Sequence, residues 1–211
     1  GSGKGTLIDF FLKELEAKSV GSYSVIRDSE FPEFEVVKRN IRSGTLSDRQ
    51  EIITTVAETR ALIYERHINP LLRTLDFALL DRSYHTSAVW QSRSFDEMLG
   101  VITENERRGI PRADLTLILH APTEVIRARL ESRGRADLSE HSFAQTMSDQ
   151  EKYLYLADNL DGCVAINTNR EPAVLARKIY NLIFANSALW SETSSSIHSN
   201  WENVNLVGMK I

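Results

Sequence analysis

The chain has 211 residues and a formal net charge of -4. This length suits one large domain, and 42% hydrophobic with 26% charged residues is the composition of a soluble globular protein. The acidic balance argues against a nucleic-acid-binding surface, which is usually basic, and no apolar run approaches the roughly 20 residues that span a bilayer. Cys163 is the single cysteine, so an internal disulfide is excluded and a reducing, cytoplasmic location is expected.

Hydrophobic periodicity predicts that helices and strands alternate along the chain. Apolar residues at helical spacing predict helices over residues 7–15, 34–41, 47–68, 86–92, 95–108, 123–132, 142–160 and 172–184. Ser47 is the expected N-cap of the third helix, and Pro70 is expected to follow its end. Short apolar runs predict strands over residues 23–27, 77–80, 115–119 and 164–166.

The later strand segments are apolar without alternation, which is typical of parallel strands buried on both faces. We therefore predict a three-layer α/β fold with a parallel sheet and helices on both faces. In such folds, ligands bind beyond the carboxyl ends of the strands. One domain is expected over residues 1–185, followed by a Ser-rich extension over residues 186–211 that ends in a strand-like segment.

The chain opens with Gly1-Ser2-Gly3-Lys4-Gly5-Thr6, which has the composition of a phosphate-binding loop. Such a loop needs glycines so that backbone N–H groups converge on phosphate oxygens, a lysine for the β/γ charge, and a hydroxyl for Mg²⁺. The helix predicted behind the motif would direct its N-terminus at the phosphates. A Gly-Ser linker is the alternative interpretation of the same six residues.

A polar segment that begins with Asp81-Arg82 follows the strand predicted at residues 77–80. An acidic residue at a strand end beside a phosphate loop can hold Mg²⁺ through water, and the planar guanidinium of Arg82 suits a phosphate or a carboxylate. Ser87 and Gln91 lie four residues apart on the following helix and so face the same way. The alternative is an ordinary polar connection between a strand and a helix.

Four arginines lie within nine residues of this acidic chain, at Arg127, Arg129, Arg133 and Arg135. The cluster is either a solvated helix face or a mobile lid. As a lid, it would bring Arg135 onto the transferring phosphoryl group, because phosphoryl transfer requires positive charge there more than it requires covalent chemistry.

The order and spacing of these three motifs resemble those of thymidylate kinases over residues 1–184. The family pattern of Asp-Arg-Tyr, two variable residues, Ser, and then Ala-Tyr-Gln is similar to Asp81-Arg82-Ser83 through Trp90-Gln91. The family's strand-Pro-Glu-helix-Arg-Gly segment is similar to residues 114–134, and the arginine of its long middle helix falls on Arg60. Its Arg-Glu-Pro loop falls on Arg27-Asp28-Ser29.

The resemblance implies a P-loop kinase fold with an Arg-rich lid. It further implies phosphorylation of a nucleoside monophosphate, with dTMP the expected acceptor, ATP the donor and Mg²⁺ the cofactor, and a homodimer is the oligomer to be tested. The residues implied to bind ATP are Gly1, Ser2, Gly3, Lys4, Gly5, Thr6, Arg129 and Asn169. Those implied to bind the acceptor are Asp28, Arg60, Arg82, Ser87, Trp90 and Gln91. Those implied to be catalytic are Lys4, Asp81, Arg82, Arg133 and Arg135.

The resemblance also assigns individual roles to these residues. Thr6, and Asp81 through water, would hold Mg²⁺, and Arg129 would stack on the adenine. Arg82 would clamp the acceptor phosphate, while Arg60 and Ser87 would contact the acceptor base.

Three departures from the family pattern concern specificity. Val56 stands where the family commonly has an aromatic residue that stacks on the base, and Trp90 replaces a tyrosine near the sugar. The lid has Asp137-Leu138 in place of an Asp-Arg pair. These changes put thymine specificity in doubt more than they affect kinase chemistry.

Two other functions stay open from the sequence. Deoxynucleoside kinases carry Glu-Arg-Ser where this chain has Asp81-Arg82-Ser83, and their lid is also Arg-rich. Such an enzyme phosphorylates a neutral hydroxyl and needs a base, for which Asp28 is the candidate. The other alternative is a non-catalytic nucleotide-binding module.

The sequence begins inside the phosphate-loop motif, so we expect that the strand which delivers the first glycine of such loops is missing. A sheet without a central parallel strand exposes rows of unpaired backbone groups, and we therefore expect low stability and weak ATP binding. The alternative is that the strand-like residues 204–211 occupy this position.

Overall fold

The structure is a computed structural model that describes residues 2–132, 140–184 and 205–210, with the backbone alone described at residues 140, 141 and 205–210. Its helices, in chain order, are α1 (Lys4–Ala17), α2 (Pro32–Arg42), α3 (Arg49–Ile63), α4 (Asn69–Leu72), α5 (Tyr84–Gln91), α6 (Phe95–Arg107), α7 (Thr123–Glu131), α8 (Glu140–Asn159) and α9 (Pro172–Phe184). Its strands are β1 (Tyr23–Ile26), β2 (Phe77–Asp81), β3 (Leu115–His120), β4 (Cys163–Asn167) and β5 (Asn205–Lys210).

Parallel strands with helices packed against them confirm the α/β fold class predicted for a P-loop kinase. Within the described ranges, no helix is both long and apolar enough to cross a membrane. By their internal contacts, the described residues form two compact units. We refer to residues 2–20 and 114–184 as the phosphate-loop unit, and to residues 21–113 and 205–210 as the middle unit. The single domain over residues 1–185 stays a prediction.

In the phosphate-loop unit, β3 and β4 pair in parallel, and the register runs from Thr116 opposite Cys163 to His120 opposite Asn167. The first five residues of β3 are buried, as in a strand that is covered on both faces. Helices α1 and α9 pack against each other, and α8 packs against both strands. The carboxyl ends of β3 and β4 therefore lie side by side.

In the middle unit, β2 pairs in parallel with β1 on one side and with β5 on the other. All five residues of β2 are buried. Residues 205–210 thus take a strand position beside β2, which is the alternative given above for this segment. The absence of the strand that precedes the phosphate loop, and the low stability expected from it, stay predictions.

The long helix expected over residues 47–68 has different bounds. Asp48, and not Ser47, is the N-cap of α3, because its Oδ1 accepts the backbone N–H of Glu51 at 2.8 Å. The prediction of Ser47 as the cap is therefore wrong. A π-helical turn over Tyr64–Ile68 follows α3 and leads directly into α4. Pro70 therefore lies within the helical run, in the first turn of α4, and the prediction that it follows the end of the helix is wrong.

Arg49 ties three helices of the middle unit together. It is the first residue of α3, and its Nε and Nη2 donate to the carbonyl of Gln91 at the end of α5 at 2.9 and 2.6 Å. The same guanidinium binds both carboxylate oxygens of Glu97 in the first turn of α6. Glu97 also accepts the backbone N–H of Arg93 at 2.6 Å. The hydrogen bonds from Arg49 are the main reason that the pKa of the Glu97 carboxyl falls to about 2.

We expect Glu97→Gln to remove an acid-sensitive contribution to stability. A carboxyl whose pKa is depressed in the folded state stabilises the fold above its unfolded pKa, near 4.5, and this contribution is lost as the pH falls through about 2. The urea midpoints of the native chain and of Glu97→Gln should therefore differ at pH 7 and converge towards pH 2. Asp96→Asn is the control, because it removes a carboxylate from the same helical turn. If the difference in midpoint between the native chain and Glu97→Gln stays constant across this pH range, Glu97 makes no acid-sensitive contribution to stability.

Candidate functional site

The phosphate-loop motif lies at the N-terminus of α1. Gly3 is the N-cap and has a φ of 81°, a left-handed conformation that glycine adopts without strain. The first turn, which contains half-buried Lys4, exposed Gly5 and exposed Thr6, has no acidic side chain. The positive end of the helix dipole is therefore not compensated within that turn, which favours an anion there.

Ser2 precedes this turn and is only 3% exposed. Its Oγ is buried and has no hydrogen-bond partner among the described residues. Buried hydroxyls nearly always have a partner, so the Oγ of Ser2 is suited to a hydrogen bond with a ligand or an ordered water. Gly1, which the sequence also assigns to the loop, lies outside the described residues.

A cavity of about 250 Å³ lies beside the motif in the phosphate-loop unit. Its lining residues are Gly3, Thr6, Leu7, Arg129, Ser132, Thr168, Arg170, Pro172 and Leu175. Three of these were predicted to bind ATP. Asn169 is not in the lining, and its backbone N–H donates to Oδ1 of Asn167 at 2.9 Å instead. Its neighbours Thr168 and Arg170 line the cavity in its place, and of these two sequence reasoning missed only Arg170.

Arg129 holds a defined position on the wall of this cavity. Its Nη1 donates to Oγ1 of Thr168 at 3.0 Å, and its Nη2 donates to the Thr168 carbonyl at 2.8 Å. A Cβ atom added to Gly3 would lie 3.5 Å from Nη1 of Arg129, so the guanidinium borders the space that a side chain at the loop glycine would fill. Arg133 and Arg135 lie outside the described residues, and their lid role stays a prediction.

In the middle unit, Arg60 is only 3% exposed, and its guanidinium makes three side-chain hydrogen bonds. Nε donates to Oδ2 of Asp28 at 2.6 Å, Nη1 to Oδ1 of Asn105 at 2.8 Å, and Nη2 to Oγ of Ser87 at 3.0 Å. The Phe34 ring lies 5.3 Å from the guanidinium carbon. Three predicted acceptor residues, Asp28, Arg60 and Ser87, therefore meet in one network.

Asn105 is a member of this network that sequence reasoning missed. Its Nδ2 donates to the Val101 carbonyl at 2.7 Å, which fixes the amide so that Oδ1 faces Arg60. The signal was present in the sequence, because Asn105 stands at helical spacing among the buried apolar residues of α6. A lone amide on an apolar helix face needs a partner, since burial of an unpaired amide is costly.

Arg82 follows the last residue of β2 and has a φ of 79°, which is strained for a residue with a side chain. Its guanidinium carbon lies 5.2 Å from the ring centroid of Trp90, which is 63% exposed. No hydrogen bond or ion pair joins the Arg82 side chain to other residues in the described part of the chain. Val56, at the position of the family's stacking aromatic residue, is buried in α3.

Gln91 ends α5, and its side-chain Oε1 is buried without a hydrogen-bond partner among the residues described. Its backbone carbonyl is held by Arg49, so the position of the residue is defined. The buried oxygen is suited to a donor group of a ligand. This is consistent with the acceptor-binding role predicted for Gln91, which stays a prediction.

Asp81 is buried at the end of β2, and its Oδ2 accepts from Nε of Arg27 at 2.7 Å. Sequence reasoning did not predict this ion pair. Mg²⁺ in nucleotide sites usually takes few protein ligands beside phosphate oxygens and water. The exposed hydroxyl of Thr6, in the first turn behind the loop, fits that pattern. The contribution of Asp81 to the ion stays a prediction.

The chain matches no family model. It is 28% identical over 190 residues to a protein from Pyrobaculum aerophilum named "Probable thymidylate kinase", an alignment that covers 87% of this chain and 91% of that relative. It is 26% identical over 155 residues to a protein of the same name from Caldivirga maquilingensis, with coverage of 73% and 75%. The two relatives thus carry one name, and each alignment covers most of both proteins.

We expect Asp28→Asn to destabilise the middle unit strongly, because it leaves the charge of Arg60 buried without its counter-ion. Loss of one partner of a buried ion pair costs about 3–5 kcal/mol. Glu35→Gln is the matched control, since it makes the same chemical change in the solvent-exposed pair with Lys38 and should have little effect. Urea unfolding at pH 7 measures both variants. Similar midpoints for the two would show that the Arg60–Asp28 pair contributes no more than a surface pair.

Proposed function

This chain is thymidylate kinase-like, and we propose that it transfers a phosphoryl group from ATP to a nucleoside monophosphate, with dTMP as the preferred acceptor. The observation that carries the proposal is the arrangement at the start of α1. There, the left-handed Gly3, a Ser2 hydroxyl with no hydrogen-bond partner among the described residues, and a first turn without acidic residues occur together beside a cavity lined by Arg129. This combination suits the phosphates of a donor nucleotide.

Arg82 and the Arg60 network support a nucleotide acceptor. Arg82 is a guanidinium without a hydrogen-bond partner in the described part of the chain, so it is available for the acceptor phosphate. Arg60 and Ser87 offer N–H and O–H groups. Because Ser87 Oγ accepts from Arg60, its own hydroxyl proton can point elsewhere, which suits a carbonyl oxygen of the acceptor base.

The hydrogen bond between Asp28 and Arg60 favours a nucleoside monophosphate over a nucleoside as the acceptor. A phosphate oxygen is already anionic at neutral pH and attacks the γ-phosphorus without a strong general base. A nucleoside hydroxyl needs such a base, and Oδ2 of the candidate, Asp28, is bound to the buried guanidinium of Arg60. Asp28 therefore serves better as the counter-ion that orients Arg60.

The remaining roles follow the chemistry of phosphoryl transfer. The Thr6 hydroxyl, and Asp81 through water, would hold Mg²⁺, which would supply positive charge to the phosphates of the donor. Lys4 would contact the β and γ phosphates, and Arg129 would contact the adenine. Arg133 and Arg135 would meet the charge that develops on the transferred group.

A panel of acceptors tests the proposal. ADP release should be fastest with dTMP when dTMP, dUMP, dCMP, dGMP, dAMP and thymidine are compared at equal concentrations with ATP and Mg²⁺. Faster turnover of thymidine than of dTMP would identify a nucleoside kinase. Tight ATP binding without turnover of any compound would identify a nucleotide-binding module.

Substitution of Arg82 separates its binding role from its backbone strain. Arg82→Ala and Arg82→Gly should both lower kcat/KM for dTMP by roughly ten- to a hundredfold while ATP affinity is unchanged, because each removes a charge-assisted phosphate contact. The glycine variant should be more stable than the alanine variant in urea unfolding, by about 1 kcal/mol, because only glycine accepts the left-handed backbone without strain. Loss of ATP affinity in either variant would contradict the acceptor role, and equal stability of the two would contradict the strain.

A further inference from the structure

Thr168 lies just beyond β4 and is hydrogen-bonded to His120, the last residue of β3. Its backbone N–H donates to the His120 carbonyl at 2.8 Å, and its hydroxyl donates to the same carbonyl at 3.1 Å. The residue is buried. Thr168 thus takes its position from the parallel pairing of β3 and β4, in which His120 stands opposite Asn167.

The hydroxyl of Thr168 has a defined direction. A hydroxyl has one proton, and here that proton is used on the His120 carbonyl, so Oγ1 presents its lone pairs to Nη1 of Arg129 at 3.0 Å. The Thr168 carbonyl accepts from the other terminal nitrogen of Arg129 at 2.8 Å. Two acceptors on one residue therefore engage both terminal nitrogens and define the plane of the guanidinium.

This arrangement connects the end of the sheet to the cavity beside the phosphate loop. Arg129 and Thr168 both line that cavity, and Arg129 borders the space that a side chain at Gly3 would fill. An arginine side chain that is already ordered loses less conformational entropy when a ligand binds to it. A methyl group in place of the hydroxyl would leave Nη1 of Arg129 without this acceptor.

We propose that Thr168 is a positioning residue for the donor nucleotide, because its hydroxyl and carbonyl hold Arg129 in the orientation in which the guanidinium contacts the nucleotide. This inference rests on the proposed function, in which Arg129 contacts the base of ATP. Thr168 itself acts through Arg129 and takes no part in the transfer of the phosphoryl group.

Equilibrium binding of a fluorescent ATP analogue, with no acceptor present, tests the proposal. Thr168→Val, which keeps the shape of the side chain and removes its hydroxyl, should weaken binding by about tenfold, whereas Thr168→Ser should bind like the native chain. Thr146→Val is the matched control, because it removes a hydroxyl that donates to the Ser142 carbonyl within α8, away from the residues that line the cavity, and binding should not change. Unchanged or tighter binding by Thr168→Val would overturn the proposal.

A double-mutant cycle with Arg129 distinguishes positioning from a structural role. If Thr168 acts through Arg129, Arg129→Ala alone weakens binding and Thr168→Val adds no further loss in that background. A merely structural role would give additive losses that follow the change in melting temperature, and that result would overturn the inference. Should Thr168→Val not fold, Thr168→Ala replaces it, because alanine also removes the hydroxyl that Nη1 of Arg129 binds, and the same tenfold loss is expected.

Failure of this inference is distinguishable from failure of the proposed function. If the native chain does not bind the ATP analogue, the donor site itself is wrong. If the native chain binds and turns over dTMP while Thr168→Val binds equally well, the kinase assignment holds and the role of Thr168 is rejected.

Discussion

The organisation of the middle unit depends on the buried pair of Arg60 and Asp28. A guanidinium that is 3% exposed requires both a counter-ion and hydrogen-bond acceptors, since an unpaired buried charge would cost more than most single interactions contribute. The acceptors come from the turn after β1, from α5 and from α6, so the charge of Arg60 constrains where each of these elements lies. The orientation of these polar side chains and the packing of the helices that carry them thus depend on the same interaction.

The arginines of this chain differ in how far the protein itself satisfies them. Arg60, Arg49 and Arg129 are bound by partners that define the plane of each guanidinium. Arg82, by contrast, rests near an exposed indole ring on a strained backbone. Binding sites often contain a residue with a strained backbone and a side chain that makes no hydrogen bond within the described part of the protein. The surrounding structure holds such a residue in position for a ligand at some cost in stability. The contrast supports different roles for arginines that look alike in sequence.

Much of this organisation could be predicted from the sequence, because it follows from local patterns. Apolar runs without alternation identified β2 and β3, and glycines before an apolar periodic segment identified the start of α1. The pairs Arg27–Asp81 and Arg129–Thr168 could not be predicted, since each joins residues that lie 39 or more positions apart and depends on strand register. The prediction of Ser47 instead of Asp48 as the N-cap of α3 was wrong for a local reason. Both residue types can cap a helix, and only the hydrogen bond to the Glu51 N–H distinguishes them.

The two compact units are interleaved along the chain, and this has a consequence for synthesis on the ribosome. The phosphate-loop unit begins near residue 2 and resumes only at residue 114, while the middle unit receives β5 from residues 205–210. Neither unit can therefore fold completely as a contiguous stretch while translation proceeds. Strand β2 can pair with β1 early, but its second partner β5 lies more than 120 residues downstream, so this edge of β2 is paired only late in synthesis.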